Sequence, residues 1–207
     1  MRNTVMTRFF AALCALFLIV SPAMAVEEPP FRSEFKDGAF EVRLYGAMIA
    51  AEVDVAGDRG EAANRGFRPL ANYIFGDNQP KQKIAMTAPV TQTKGEQIAM
   101  TAPVTQTRDG PAWRVRFIMP VGYTMETLPK PTDPNVRLVE MPAQRFAVMR
   151  FSGFAPQSKL DERERALRAF LAQRNLTPIG AVHYAFYDPP WTPPFLRRNE
   201  VMIPIAP

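Results

Sequence analysis

Two stretches of helical period, 58–76 and 157–174, each stand among segments that alternate with period two. No other feature of the sequence narrows the fold as much. In the first stretch Ala63, Phe67, Leu70 and Ile74 recur at i, i+4, i+7 and i+11, one stripe of a helix. Asp58 with Glu61 makes a start like a capping box and Gly76 a stop, while Gly66 and Pro69 inside should kink or weaken it. In the second, Leu160, Leu167, Phe170 and Leu171 form the stripe to be buried. Ser158 is its expected cap, and Asp161→Arg165 and Glu164→Arg168 are favourable pairs one turn apart. Upstream lie FEVRLYGAMIAAEVDV (40–55), broken near Gly46, and VRLVEMPAQRFAVMRFSG (136–153), whose Val-Arg-Leu opening repeats Val42-Arg43-Leu44. Downstream, the first helix is followed by the strand RVRFIM (114–119) after Trp113, and the second by AVHYAFYD (181–188) and NEVMIPI (199–205). Each half therefore reads extended, helix, extended, extended. That pattern predicts one α+β domain with a pseudo-twofold repeat, its helices packed on antiparallel sheet.

A second repetition lies inside the first half. IAMTAPVTQT occupies 84–93 and recurs identically at 98–107, with a turn-like Lys94-Gly95-Glu96-Gln97 between. Pairing the copies about Gly95 sets Met86 opposite Val104 and Val90 opposite Met100, which keeps one face apolar. Pro89 and Pro103 cannot donate to a ladder and suggest edges or bulges. A duplicated strand is the favoured reading over a paired functional loop.

The first 25 residues have another character. Arg2 and Arg8 make a basic start, Phe9–Val20 is an unbroken apolar run, and Ala23-Met24-Ala25 is an A-x-A cleavage pattern. Residues 1–25 are thus expected to be a signal peptide and 26–39 a flexible lead-in, with the domain at 40–207. Cys14 sits inside the apolar run without a lipobox, so no lipid anchor is expected. Cleavage would leave 182 residues with 23 Lys+Arg against 20 Asp+Glu, a net +3, and no cysteine. The product would be an extracytoplasmic, periplasmic protein with no stable membrane anchor.

Scarce residues exclude several chemistries. One histidine and one cysteine cannot build a zinc finger, a three-histidine zinc site or bis-histidine haem ligation. A charge of +3 is too mild to argue for nucleic acid. After residue 25 the serines are only Ser33, Ser152 and Ser158, with no nucleophile elbow, Gly-rich phosphate loop or zinc-protease motif. No catalytic residue is assigned, and a binding protein is expected rather than an enzyme.

Three stretches together carry a family resemblance: KIAMTAPV at 83–90 with its second copy, WRVRFIMP at 113–120, and DPPWTPPFLRRNEVMI at 188–203. FRPLANYIFGDN at 67–78 adds to it. From about residue 40 to 204 the chain resembles the SOUL haem-binding family. The resemblance implies a distorted β-barrel of two four-stranded antiparallel sheets with two flanking helices. It also implies a shallow apolar groove for haem or free porphyrin. Families of this barrel type include bacterial effector-binding domains, so another apolar or cationic ligand, or a tetrapyrrole-modifying activity, stands as the alternative.

A porphyrin is a flat apolar disc with two carboxylates, and it wants an apolar wall with a cation at the rim. The family's groove lies along the helix matching 58–76. That singles out Phe67, Leu70, Ala71 and Ile74 as wall and Arg68 as carboxylate partner, although a helix stripe is also what a plain core needs. His183, the one imidazole, shares a strand face with Ala181, Ala185 and Tyr187 and is a candidate haem contact or structural residue. Met86 and Met100 offer thioethers but stand where core filler is usual. Arg197, Arg198 and Glu200 read as ion pairs and turn contacts. The turn Asp188–Phe195, with four prolines and Trp191, reads as a rigid packed loop. The expectation is a monomer that buffers or carries haem or a related tetrapyrrole in an apolar groove, with no axial ligand required.

Overall fold

In the computed structural model of the chain, residues 26–80 and 95–207 are described. The first half runs β1 (Phe31–Asp37), β2 (Phe40–Tyr45), β3 (Met48–Ala56), α1 (Arg59–Ile74), β4 (Asn78–Gln79), β5 (Val104–Asp109) and β6 (Ala112–Ile118). The second runs β7 (Lys130–Pro131), β8 (Arg137–Met141), β9 (Gln144–Phe151), α2 (Gln157–Gln173), β10 (His183–Phe186) and β11 (Asn199–Ile205). Among the described residues, nine strands form one antiparallel sheet in the order β1-β2-β9-β11-β10-β5-β6-β3-β8, and β4 pairs with β7 apart from it.

The pseudo-twofold repeat is present, and its axis falls between β5 and β10. Outward from this seam the order is β10-β11-β9-β2 on one side and β5-β6-β3-β8 on the other. In each quartet the three inner strands come from one half and the outermost from the other. The two four-stranded sheets expected are thus two leaves of one larger sheet, joined where Tyr184 lies opposite Gln106, extended by β1 and curled into a half-barrel. Both helices cover the same face.

Local chemistry explains the helices. Asp58 caps α1, its Oδ1 accepting from the Glu61 backbone N–H at 2.9 Å, and Gly76 at φ +112° ends it. Gly66 serves contact with the sheet: a Cβ built there would stand 2.6 Å from Val115 Cγ2. The missing side chain lets α1 lie close on β6. Ala62, Gly66, Leu70, Tyr73 and Ile74 face inward onto Val53 and Val115. The α2 stripe Leu160, Leu167, Phe170 and Leu171 is buried as expected, and Arg168 reaches Glu164 at 2.7 Å. Its cap differs from expectation: α2 starts after Pro156, which offers no side-chain bond, and Ser158 is already inside the helix.

Three other expectations are corrected. Residues 31–37, read as lead-in, form edge strand β1 against β2; six of its seven side chains are exposed, so no alternation marked it. In the second IAMTAPVTQT copy only Val104–Thr107 enters a strand, and Val104 is flanked by Phe117 and Phe186. Both edges of that strand are taken, by β10 and β6; the first copy, with Met86 and the expected pairing opposite it, lies outside the described residues. Finally, the Pro-rich loop is tied down by Arg197 but leaves Trp191 82% exposed.

Candidate functional site

The expected site residues fall on two faces of the sheet. Leu70 and Ile74 are 0% and 1% exposed and belong to the core between α1 and the sheet, so they have no surface to offer a ligand. Phe67, Arg68 and Ala71 lie on the outer side of α1. Phe67 is 40% exposed, its ring edge-on to Phe117 with centroids 5.2 Å apart. Phe75, which the sequence reading passed over, is 61% exposed. Phe67, Ala71 and Phe75 follow one another at i, i+4 and i+8, an apolar stripe about 12 Å long. Arg68 lies beside it at the Phe67 end, with neither hydrogen bond nor ion pair among the described residues. An apolar strip with an unpaired guanidinium at its rim suits a flat apolar ligand bearing carboxylates.

His183 is on the opposite, inner face, with the sheet between it and α1. Its ring stands edge-on to Phe146 at 5.3 Å, near Tyr45 and Met202. Burial, and then the positive charge of Arg116, lowers its pKa to about 4, so the imidazole is neutral at ordinary pH. The hollow before it measures about 40 Å³, the scale of one water and far below a tetrapyrrole. His183 and the α1 residues therefore cannot contact one ligand together.

At one end of the inner face a larger cleft of about 710 Å³ opens, sharing Met48, Ile118 and Met141 with the hollow before His183. Met119 and Tyr123 also line it, and Glu27 and Glu140 stand at its wall. Its residues come mainly from the N-terminal strap, the β2–β3 turn, the loop after β6 and the end of β8, which share no periodic signal in the sequence.

The rest of the inner face carries two ionic clusters. Glu200, wholly buried, accepts from Arg43 (2.9 and 3.1 Å), Tyr187 (2.7 Å) and Arg198 (3.0 Å), and Arg43 also binds Glu41 at 2.7 Å. Arg198 continues to Glu28 at 2.9 Å, while Arg197 donates to the Thr192 and Pro190 carbonyls. Both arginines thus make the ion-pair and turn contacts expected of them. In the second cluster Glu52 and Asp54 meet Arg114, Arg116 and Arg137. Burial pushes the Glu52 carboxyl up, but hydrogen bonds from Arg116 and Arg137 outweigh it and hold it below the usual range. Every carboxylate here has its partners, which makes these clusters structural.

The doubled unit and half-barrel are shared with solved structures at identities that speak for fold alone. The crystal structure of the EcmrR C-terminal domain matches 85% of this chain and 98% of its own, with TM-score 0.58 and 12% identity. A hydrolase from Listeria innocua matches 84% and 94%, with TM-score 0.54 and 13% identity. Sequence goes further: residues 26–204 match the profile of the SOUL heme-binding protein family, and the chain belongs to that family. The match begins ahead of β1 rather than near residue 40. Heme-binding protein 1 of Xenopus tropicalis is 29% identical over 168 residues, covering 80% of this chain and 84% of the relative. Human heme-binding protein 2 is 27% identical over 190 residues, covering 87% of each.

Proposed function

We propose that the protein binds haem or a related tetrapyrrole on the outer stripe of α1 and buffers or carries it outside the cytoplasm. The observation that carries this reading is the Phe67–Ala71–Phe75 strip on the outer side of α1, beside Arg68, which has no partner among the described residues, in a chain of a heme-binding family. The macrocycle lies on the strip, Arg68 meets a carboxylate, and no protein group is required on the metal. His183, behind the sheet, acts in packing. The 1–25 leader is removed on export, leaving a periplasmic monomer whose amino terminus is Val26.

Titration of residues 26–207 with haemin and with iron-free protoporphyrin tests this. Both should give saturable spectral changes of similar affinity. Phe67→Ala and Arg68→Glu should each weaken binding about tenfold, the scale of one lost apolar or charged contact. His183→Ala should leave it intact. Absence of saturation with either ligand refutes the reading, and loss of haemin affinity in His183→Ala refutes its account of the metal. Amino-terminal sequencing of the periplasmic protein tests the leader.

The 710 Å³ cleft favours a second reading. Methionines and Ile118 beside Glu27 and Glu140 suit an apolar cation better than a dianionic tetrapyrrole. Native mass spectrometry of protein from its own cell envelope separates the two by ligand mass.

A further inference from the structure

Four large apolar side chains are exposed together at one end of the molecule. Trp191 is 82% exposed, Phe195 76%, Leu196 63% and Phe154 62%. They belong to two loops, β9–α2 and β10–β11, which are fastened to each other. The Gly153 N–H donates to the Pro194 carbonyl at 2.9 Å, and the Asn199 amide donates to the Gly153 carbonyl at 2.9 Å. Arg197 lies over the Phe154 ring at 5.2 Å and bonds the carbonyls on either side of Trp191. Four prolines and a 3-10 turn at Pro194–Leu196 stiffen the display further. Exposures this high belong to side chains that stand out from a surface, held outward by fixed backbone.

Cations stand against the patch. Lys159 flanks it and Arg197 runs through it, and neither forms an ion pair among the described residues. Lys159 Nζ lies 3.4 Å from where a Cβ on Gly153 would stand and donates to the Ser152 carbonyl, so its charge sits against the patch. Of the nearby carboxylates, Glu28 is paired with the Arg198 side chain, and Asp188, at the start of the loop, accepts the Arg198 backbone N–H. Trp, Phe and Leu projecting from a rigid base among unpaired cations are the parts of an interfacial anchor: the apolar groups enter the acyl boundary and the cations meet headgroup phosphates.

We propose that the Trp191–Phe195–Leu196 loop, with Phe154, docks the protein reversibly on an anionic lipid surface. The partner is a bilayer carrying acidic headgroups. No helix among the described residues is long and apolar enough to cross a membrane, and the four side chains reach only the interfacial layer. The docking needs no haem and is independent of the tetrapyrrole reading.

The test uses ligand-free protein, residues 26–207, with vesicles of phosphatidylcholine alone and of phosphatidylcholine mixed with phosphatidylglycerol. Cosedimentation should be seen with the anionic vesicles and should fall as salt rises. Brominated acyl chains should quench tryptophan fluorescence. Trp191→Ser with Phe195→Ser should cut vesicle affinity at least about tenfold without moving the thermal midpoint, because both side chains are solvent-exposed. Lys159→Gln should cut it about fivefold. Failure to sediment with anionic vesicles, or sedimentation unchanged in the double variant, overturns the proposal. So does a dimer seen by light scattering that Trp191→Ser abolishes while vesicles stay unbound, which would assign the patch to a second copy of the chain.

Discussion

Replacing Gly66 by alanine sets two well-understood effects against each other. In an exposed helix interior the change stabilises by about 1 kcal/mol, because glycine is the costlier residue there. At Gly66 the new methyl would stand 2.6 Å from Val115 Cγ2, 2.9 Å from Val115 Cβ and 3.2 Å from Val53 Cγ2. Carbon atoms at rest prefer roughly 3.5–4.0 Å. Val115 Cγ2 can move by a rotamer change, but Val115 Cβ is fixed by the β6 backbone. Either α1 or the strand must then shift by most of an ångström. Overpacking of this kind costs about 1–3 kcal/mol, and rigid backbone on both sides puts the site in the upper part of that range. The net expectation is a loss of about 1–2 kcal/mol, or roughly 2–8 °C in Tm for a domain of this size. Urea unfolding at neutral pH reads it directly. Shortening the opposing side chain supplies the control: Gly66→Ala with Val115→Ala should be more stable than the sum of the single changes by at least about 1 kcal/mol. A Gly66→Ala protein as stable as the parent, or more so, would refute the claim that α1 is seated on β6 through that glycine.

Other expectations concern the inner face. Glu200→Ala should cost about 3–5 kcal/mol in urea unfolding, because it strips a wholly buried carboxylate from Arg43, Arg198 and Tyr187. Glu52 has a lowered folded pKa, so its stabilisation is present above the usual carboxylate range and is lost as pH falls through the folded value. Glu52→Gln should therefore be less stable at neutral pH and flatter on the acid side, which unfolding series down to acid pH will show. His183 works in a higher window. Between about pH 6.5 and 4 the unfolded chain takes up a proton that the folded imidazole refuses, so stability falls as pH drops across it. Removing the imidazole with His183→Phe should take out that part of the slope, and the His183 resonances in NMR should stay those of a neutral ring above pH 5.

Elements whose burial leaves a period in the sequence were legible from it. The α2 stripe and all of β11 follow from their residues, since every position of β11 is buried and the run is continuously apolar apart from Asn199, Glu200 and Pro204. Strand β1 was illegible for the opposite reason: one edge pairs and Phe35 alone is partly covered, so Phe31–Asp37 carries no alternation. The site proposed on α1 was half legible. That helix has apolar residues on two sides, and counting from Phe67 by three and four leads into the core at Leu70 and Ile74. Counting by four alone leads out to Ala71 and Phe75. Only packing decides which side meets the sheet. Nor could local spacing name the partner of Glu200, because Arg43 lies 157 residues away. Trp191 misled because an aromatic among prolines usually means a packed loop, whereas here Arg197 and the backbone do the holding and leave the ring outside.

The place of β11 in the sheet has a consequence for how the chain is made. Strand β11 sits between β9 and β10 and, among the described residues, alone links β10, β5, β6, β3 and β8 to β9, β2 and β1. Until residue 205 has been delivered the sheet is two unconnected pieces, each with a bare edge where β11 belongs. Contacts across such sequence distances close slowly. Residues emerging one after another therefore leave the sheet open until β11 is in place.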